Sequence, residues 1–179
     1  SVVITLEWDR KEQLMELKDF KGFSKLGEIV SKYLGENIYG MKFPVSEEGW
    51  VHLSKQKLLK GPMSIYRLAE QKIPKFLADS IELIIGLEDL YVMGLLQEGI
   101  FLGEVIIFIR KGGSVGNVSF AETLINQAAI AIQRQKARKA LLESEAKYRS
   151  VVDNANEAIF VVTDGRFAYL NPTSVKISG

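Results

Sequence analysis

His52 is the only imidazole in this 179-residue chain, and there is no cysteine. Those two counts decide most of the available chemistry. Without cysteine there is no disulfide, thiol nucleophile, zinc–thiolate site or thioether-linked chromophore. A single histidine rules out an HExxH or three-histidine metal centre. A phosphoacceptor histidine belongs in a dimerising helix beside an acidic residue, and Val51-His52-Leu53-Ser54 offers no such neighbour. A half-exposed structural histidine is the plain alternative. Gly112, Gly113 and Gly116 stand before a helix start, where backbone amides often hold phosphate. A P-loop would close with Gly-Lys-Ser/Thr, and a dinucleotide fingerprint would carry its third glycine into the helix entry. This loop does neither and reads as a flexible connection. Arg134, Lys136, Arg138 and Lys139 form a basic cluster with no interleaved aromatics for base stacking, and Lys139 can pair with Glu143. A solvated helix flank explains it. No residue set qualifies as catalytic, and none as a metal site.

The composition is that of a core-forming chain, 47% hydrophobic and 25% charged, with a formal net charge of +1. Such a balance supplies no basic field for nucleic acid. The most apolar stretch, residues 81–109, carries Glu82, Glu88, Asp89, Glu98 and Glu104 and is broken by Gly86, Gly94, Gly99 and Gly103. It is not a membrane span. No signal peptide is visible. The chain opens at Ser1 without methionine and stops at Ile177-Ser178-Gly179, so we expect it to be a piece of a longer protein.

One helix, over residues 119–153, must organise everything else. Ser119-Phe120-Ala121-Glu122 reads as a capping box, and helix formers then run without Pro or Gly. Leu124, Ile125, Ala128, Ala129 and Ile132 form a broad apolar face suited to docking on a domain. Farther on, Ile130, Ala137, Leu141, Tyr148 and Val151 fall on three- and four-residue steps, the seam of a modest two-stranded coiled coil. One long core helix with a polar end is the alternative.

Ahead of that helix, Val2, Ile4, Leu6 and Trp8 alternate as a half-buried strand, and residues 14–20 return as a second. Ser24 caps a helix with Leu26, Ile29, Val30, Tyr33 and Leu34 on one face, ending at Gly35. Tyr39, Met41, Phe43 and Val45 alternate again, with Pro44 placing that strand at an edge or an end. Trp50, Val51 and Leu53 begin a short helix broken by Gly61-Pro62, and residues 63–69 are irregular or briefly helical. Pro74 opens a helix that buries Leu77, Ile81, Ile84 and Ile85 and stops at Gly86. Residues 91–97 and 100–109 are strands joined by Glu98-Gly99, and 158–163 and 166–171 are strands joined by Asp164-Gly165. The order predicts an α+β domain, an antiparallel sheet flanked by helices.

Lys147-Tyr148-Arg149-Ser150-Val151-Val152-Asp153-Asn154-Ala155, Glu157-Ala158-Ile159 and Tyr169-Leu170-Asn171-Pro172 resemble the opening of PAS sensory domains, truncated here to a helix and a β-hairpin. The earlier part resembles GAF-type sensory domains, most nearly a variant of archaeal (methanogen) sensor histidine kinases. Tyr39-Gly40-Met41-Lys42-Phe43-Pro44, Lys72-Ile73-Pro74-Lys75, Gly99-Ile100-Phe101-Leu102-Gly103, Ile107-Phe108-Ile109-Arg110-Lys111-Gly112 and the helix segment 125–134 carry it. The resemblance divides the chain into a GAF-like domain (1–135), a helical connector (136–150) and the start of a PAS domain (151–179). It implies a cytoplasmic two-component sensor histidine kinase whose kinase core lies outside this sequence.

A GAF pocket lies between sheet and helices. The resemblance therefore makes Tyr39, Met41, Phe43, Trp50, His52, Met63, Tyr66 and Tyr91 the candidate lining for an unknown small molecule, against simple core filling. The sequence requires no cofactor; a haem on His52 is the one that such a pocket would admit. The cyclic-nucleotide motif of some GAF domains is not recognisable. The expected partners are a second copy, in a parallel homodimer through the connector seam, and the downstream PAS and kinase domains. A ligand-free structural or dimerisation domain is the rival reading.

Overall fold

A computed structural model describes residues 1–22, 32, 39–62 and 64–178. The chain divides into two compact units, Ser1–Gln133 and Arg134–Gly179. In the first, strands β1 (Val2–Asp9), β2 (Leu14–Lys21), β3 (Lys42–Phe43), β4 (Leu59–Lys60), β5 (Leu87–Gln97) and β6 (Ile100–Arg110) form one sheet in the order β3-β2-β1-β6-β5-β4. Every pairing is antiparallel. Helices α1 (Glu47–Leu53), α2 (Ile65–Leu68) and α3 (Lys75–Ile85) cover one face, and the start of α4 (Val118–Asp153) covers the other. The second unit holds the rest of α4, the hairpin β7 (Phe160–Thr163) and β8 (Arg166–Leu170), and α5 (Pro172–Ser178). This is the expected α+β arrangement, with the long helix unbroken.

Side-chain alternation sorts the central strands into two cores. Val2, Leu6, Leu90, Val92, Ile106 and Phe108 face α1–α3, together with Leu77, Ala78, Ile81 and Ile85 of α3. Met93, Leu95, Leu102 and Val105 face Ile125 and Ala129 of α4. Burial on both faces is why β5 and β6 read as nearly continuous apolar runs. Apolar burial on this scale, at about 25 cal/mol per Å², is the main force holding the layers together.

Several local expectations are corrected. Helix α1 starts at Glu47, not at Trp50, because Ser46 caps it: its hydroxyl accepts from the Gly49 amide at 3.2 Å. It ends at Leu53, and residues 59–60 then form an edge strand too short to show a period. In α3 Ala78 is buried and Ile84 is 40% exposed, since the face set by Leu77, Ile81 and Ile85 passes through position 78. Helix α4 is capped by Asn117, whose side-chain oxygen accepts from Phe120 at 3.0 Å. That displaces the Ser119 capping box. Its docked stripe is also narrower than expected, with Ile125 and Ala129 buried while Leu124 is exposed. A straight helix laid on a flat sheet touches it along one row of side chains. The helix expected from Ser24 through Leu26, Ile29, Val30, Tyr33 and Leu34 to Gly35 lies outside the described residues, as does Met63.

A β-bulge in β6 decides what faces the α1–α3 side. Leu96 pairs with Phe101 while Leu95 pairs with Gly103, so one extra residue enters the strand. Phe101 packs on the first core and Leu102 on the second; past the bulge, Ile106 and Phe108 are on the first and Val105 on the second. Gly103 has φ +152°, and a Cβ there would overlap the Leu6 carbonyl oxygen of β1. Gly103→Ala should therefore cost about 3 kcal/mol or more, through backbone strain and a parted β1–β6 pair. Urea titration of the two proteins checks this, and a change below about 1 kcal/mol would show that the strands can move apart freely.

Candidate ligand-binding site

Between the sheet and helices α2 and α3 lies a cavity of about 120 Å³. Ile4 and Leu6 of β1, Met15 and Leu17 of β2, Met41 and Phe43 at the β3 edge, Ile65 and Leu68 of α2, Ile81 of α3, and Ile106 and Phe108 of β6 form its walls. Glu104 is the one titratable side chain among the described wall residues. A second, more polar cavity of about 600 Å³ is bounded by α1, β4 and the end of α2, including His52, Leu53, Lys60, Arg67 and Glu70. The two share Pro44, Leu68 and Glu104. Glu104 thus stands where an apolar chamber meets a polar one.

Three features put it there. The bulge turns position 104 onto the face of Ile106 and Phe108. On one side its cross-strand neighbour is Leu6, which also lines the apolar cavity. On the other side the neighbour is Gly94, with no side chain to fill the space. The Leu53 carbonyl at the end of α1 comes down over that glycine, where a Cβ would overlap it. So α1 brings His52 and Leu53 to the wall that Glu104 borders.

The Glu104 carboxyl has no hydrogen-bond or ion-pair partner among the described residues, and burial pushes its pKa up to about 7. Glu104 is half-buried and borders both cavities, and loss of solvation is the cause of the shift. His52 adds a second unmet group: its Nε2 is buried without a hydrogen bond. Lys60, across the larger cavity, is already engaged with Asp89.

The seven described residues of the candidate lining do not form one group. Met41 and Phe43 line the apolar cavity and His52 the polar one. Trp50 is half-buried and packs edge-to-face on Trp8 and Phe101, with centroids 4.8 and 4.7 Å away. Tyr66 is half-buried against the first core, and its hydroxyl donates to Gln71 at 3.4 Å. Tyr39 is 48% exposed. Tyr91 faces the second core, on the opposite side of the sheet, because its place in β5 is one residue out of step with Leu90 and Val92. Glu104, which borders both cavities, is not among those candidates. A lone acid within an apolar strand, paired across the hairpin with Gly94, is the available signal.

The other sequence candidates resolve differently. The Gly112 amide donates to the Glu88 carboxylate at 2.8 Å and the Gly113 amide to the Arg110 carbonyl at 2.8 Å. With a carboxylate already in place, that loop is no phosphate cradle. Lys139 and Glu143 pair at 3.8 Å, as their spacing predicts. Along the seam, Leu141, Tyr148 and Val151 are exposed, as is Ala137, and Ile130 is half-buried. No cluster that could hold a metal occurs among the described residues. A porphyrin needs an apolar slot, and the cavity beside His52 is walled by Ser46, Glu48, Lys60, Arg67 and Gln71. These residues do not fit a haem.

No family model and no curated protein matches the sequence. Among solved structures, the GAF domain of a two-component sensor histidine kinase from Bacillus halodurans superimposes with a TM-score of 0.50 at 16% identity, covering 78% of this chain and 85% of that one. The fold is that of a GAF domain. The GAF domain of a phosphoenolpyruvate-protein phosphotransferase from Coxiella burnetii (TM-score 0.48, 16% identity, 78% and 75% covered) is also similar. So is a domain of a two-component sensor histidine kinase protein, described as putative, from Sinorhizobium meliloti 1021 (0.46, 16%, 78% and 82%). At such identity the likeness speaks for the fold and leaves the ligand open. No helix among the described residues is long and apolar enough to cross a membrane.

The GAF-fold cavity makes a pH prediction. Glu104 binds its proton more tightly folded than unfolded, so stability is greatest below its ordinary value of 4.5 and falls as pH rises to about 7. The full loss is on the order of 3 kcal/mol, less whatever cavity water returns. Glu104→Gln should match wild type near pH 4.5 and exceed it in melting temperature near pH 8. Parallel melting curves across the whole range would mean that the carboxyl is solvated.

Proposed function

We propose that this chain is the signal-sensing region of a cytoplasmic two-component sensor histidine kinase. Its GAF-fold unit takes a small molecule, and α4 relays occupancy toward a PAS start and a kinase core elsewhere in the protein. The cavity bordered by Glu104 carries this reading, since a domain that only spaces its neighbours needs neither an empty chamber nor an unpaired acid. The Bacillus halodurans domain, named for a sensor histidine kinase, supports that setting. No phosphate-transfer step is assigned to the residues of this chain.

The polar hub at Asn171 supports the PAS reading of the second unit. Its side chain accepts from Ile159 and Ser174 and donates to the Val152 and Glu157 carbonyls, fixing the hairpin where the resemblance quotes Asn171-Pro172. Phe160, Val162 and Phe167 stay exposed, as on a sheet that other strands complete.

For the relay, Glu122 of α4 accepts from the Leu58 amide at 2.9 Å and Lys57 at 3.2 Å. Residues 54–58 run on from α1, which walls the larger cavity, so a ligand that moves α1 pulls on α4. The exposed seam of Ala137, Leu141, Tyr148 and Val151 is where a parallel second copy would pack.

Native mass spectrometry of protein purified from its own source should show a bound small molecule; a bare chain under gentle conditions would favour the ligand-free spacer. In sedimentation, Leu141→Glu should weaken the dimer at least about ten-fold by placing like charges across the seam. An unchanged dimer, or a wild-type monomer at high concentration, would remove the seam.

A further inference from the structure

The position of Glu104 specifies what would satisfy it. An unpaired carboxylate held away from water is costly, and the cost ends when an opposite charge arrives. The inference rests on the sensing role proposed above and narrows it to one class of ligand. We propose that the joined cavities take a small primary amine, its apolar body in the apolar chamber and its ammonium group on Glu104 at the junction.

Size sets the body. A dry apolar cavity of about 150 Å³ accepts benzene; the chamber of about 120 Å³ is somewhat smaller but joins the larger cavity at Glu104, so one ring or a short branched chain is the upper bound for the body. Charge sets the head. At the junction the walls carry Glu104, with Glu48 and Glu70 farther along the larger cavity, while among the described residues Lys60 is held by Asp89 and Arg67 alone opposes them. An anion would meet like charge. A hydroxyl would give Glu104 one hydrogen bond and leave its charge uncompensated. An ammonium supplies both the charge and three donors. Gly103 lets β1 close on β6, and Gly94 lets the Leu53 carbonyl at the end of α1 close over β5, so both glycines set the walls around Glu104.

Benzylamine, benzyl alcohol and benzoate share a ring and differ in the head, so they separate the terms. Titration calorimetry on the intact chain near pH 8, with Trp50 fluorescence as a second signal, should show benzylamine binding at least about ten-fold tighter than benzyl alcohol, with no benzoate binding. Glu104→Gln, which keeps the shape and removes the charge, should erase the amine preference and leave benzyl alcohol within about two-fold. Saturable binding of benzyl alcohol with no amine preference, or a preference that survives in Glu104→Gln, would overturn the amine assignment and leave the sensing cavity standing. No saturable binding of any probe to either protein would overturn both.

Discussion

One inserted residue in β6 sets the direction of every side chain beyond it. Because Leu102 and Gly103 together oppose a single position of β5, alternation reverses, and Glu104, Ile106 and Phe108 turn toward α1–α3. Without the bulge, the pattern set by Phe101 would send Glu104 into the core under α4, and Val105 and Ile107 to the cavity side. Both cores depend on that parity, since Val105 packs with Ile125 and Ala129 while Ile106 and Phe108 pack with α3. The bulge in turn depends on β1 lying close enough that only glycine fits at position 103. Such insertions often sit beside functional sites, where they re-aim a side chain.

The parts of this fold that were legible in sequence are those fixed by local rules. Glu98-Gly99 and Asp164-Gly165 both take positive φ and close the hairpins that dipeptides of this kind predict. The alternation from Val2 to Trp8 and the unbroken run of helix formers in α4 were equally plain. What escaped was set by tertiary neighbours. Edge strand β4 has two residues and no period, and of the alternation from Tyr39 to Val45 only Lys42–Phe43 pairs as the edge strand β3. The Ser119-Glu122 pair has the spacing of a capping box, yet the Glu122 carboxylate is drawn off by the Leu58 amide and Lys57. That contact also holds its pKa below the usual range, the backbone hydrogen bond first and Lys57 after it. Of the candidate site, Phe43 of β3 and Met41 just before it were visible as apolar residues of an edge strand. Glu104 was not, because a bulge leaves no mark in a hydrophobic pattern beyond one glycine.

The second unit keeps its shape by other means. Asn171 is fully buried and its side chain makes five polar contacts, engaging both lone pairs of the amide oxygen and both amide N–H groups. Thr173 donates to the Ala155 carbonyl, and the Tyr169 hydroxyl to Asp153 at the end of α4. Large apolar side chains such as Phe167 and Ile177 meanwhile remain exposed. A polar hub, not a hydrophobic core, therefore determines the path from α4 into the hairpin. Hydrogen bonds are directional where apolar contacts are not, so such a junction holds a defined orientation at the cost of little surface.

The narrow grip on α4 bears on how a signal would travel. Within the first unit only Ile125 and Ala129 are fully buried, with Ala121 and Ile132 partly so; these fall on a single helical row. A broad face would lock the helix, whereas one row lets it roll about its axis at modest loss of contact. The roll is then biased by whatever pulls off-axis, and Glu122 is tied to the Lys57–Leu58 segment that continues from α1. Leu58 itself is buried beside Ile125, so the tie has an apolar anchor next to its polar one. A change in α1 over Gly94 would thus reach α4 as a torque rather than as a push along its length. That geometry suits a helix whose distal residues expose their apolar side chains, because a small rotation there would change which of Leu141, Tyr148 and Val151 is presented to the proposed second copy.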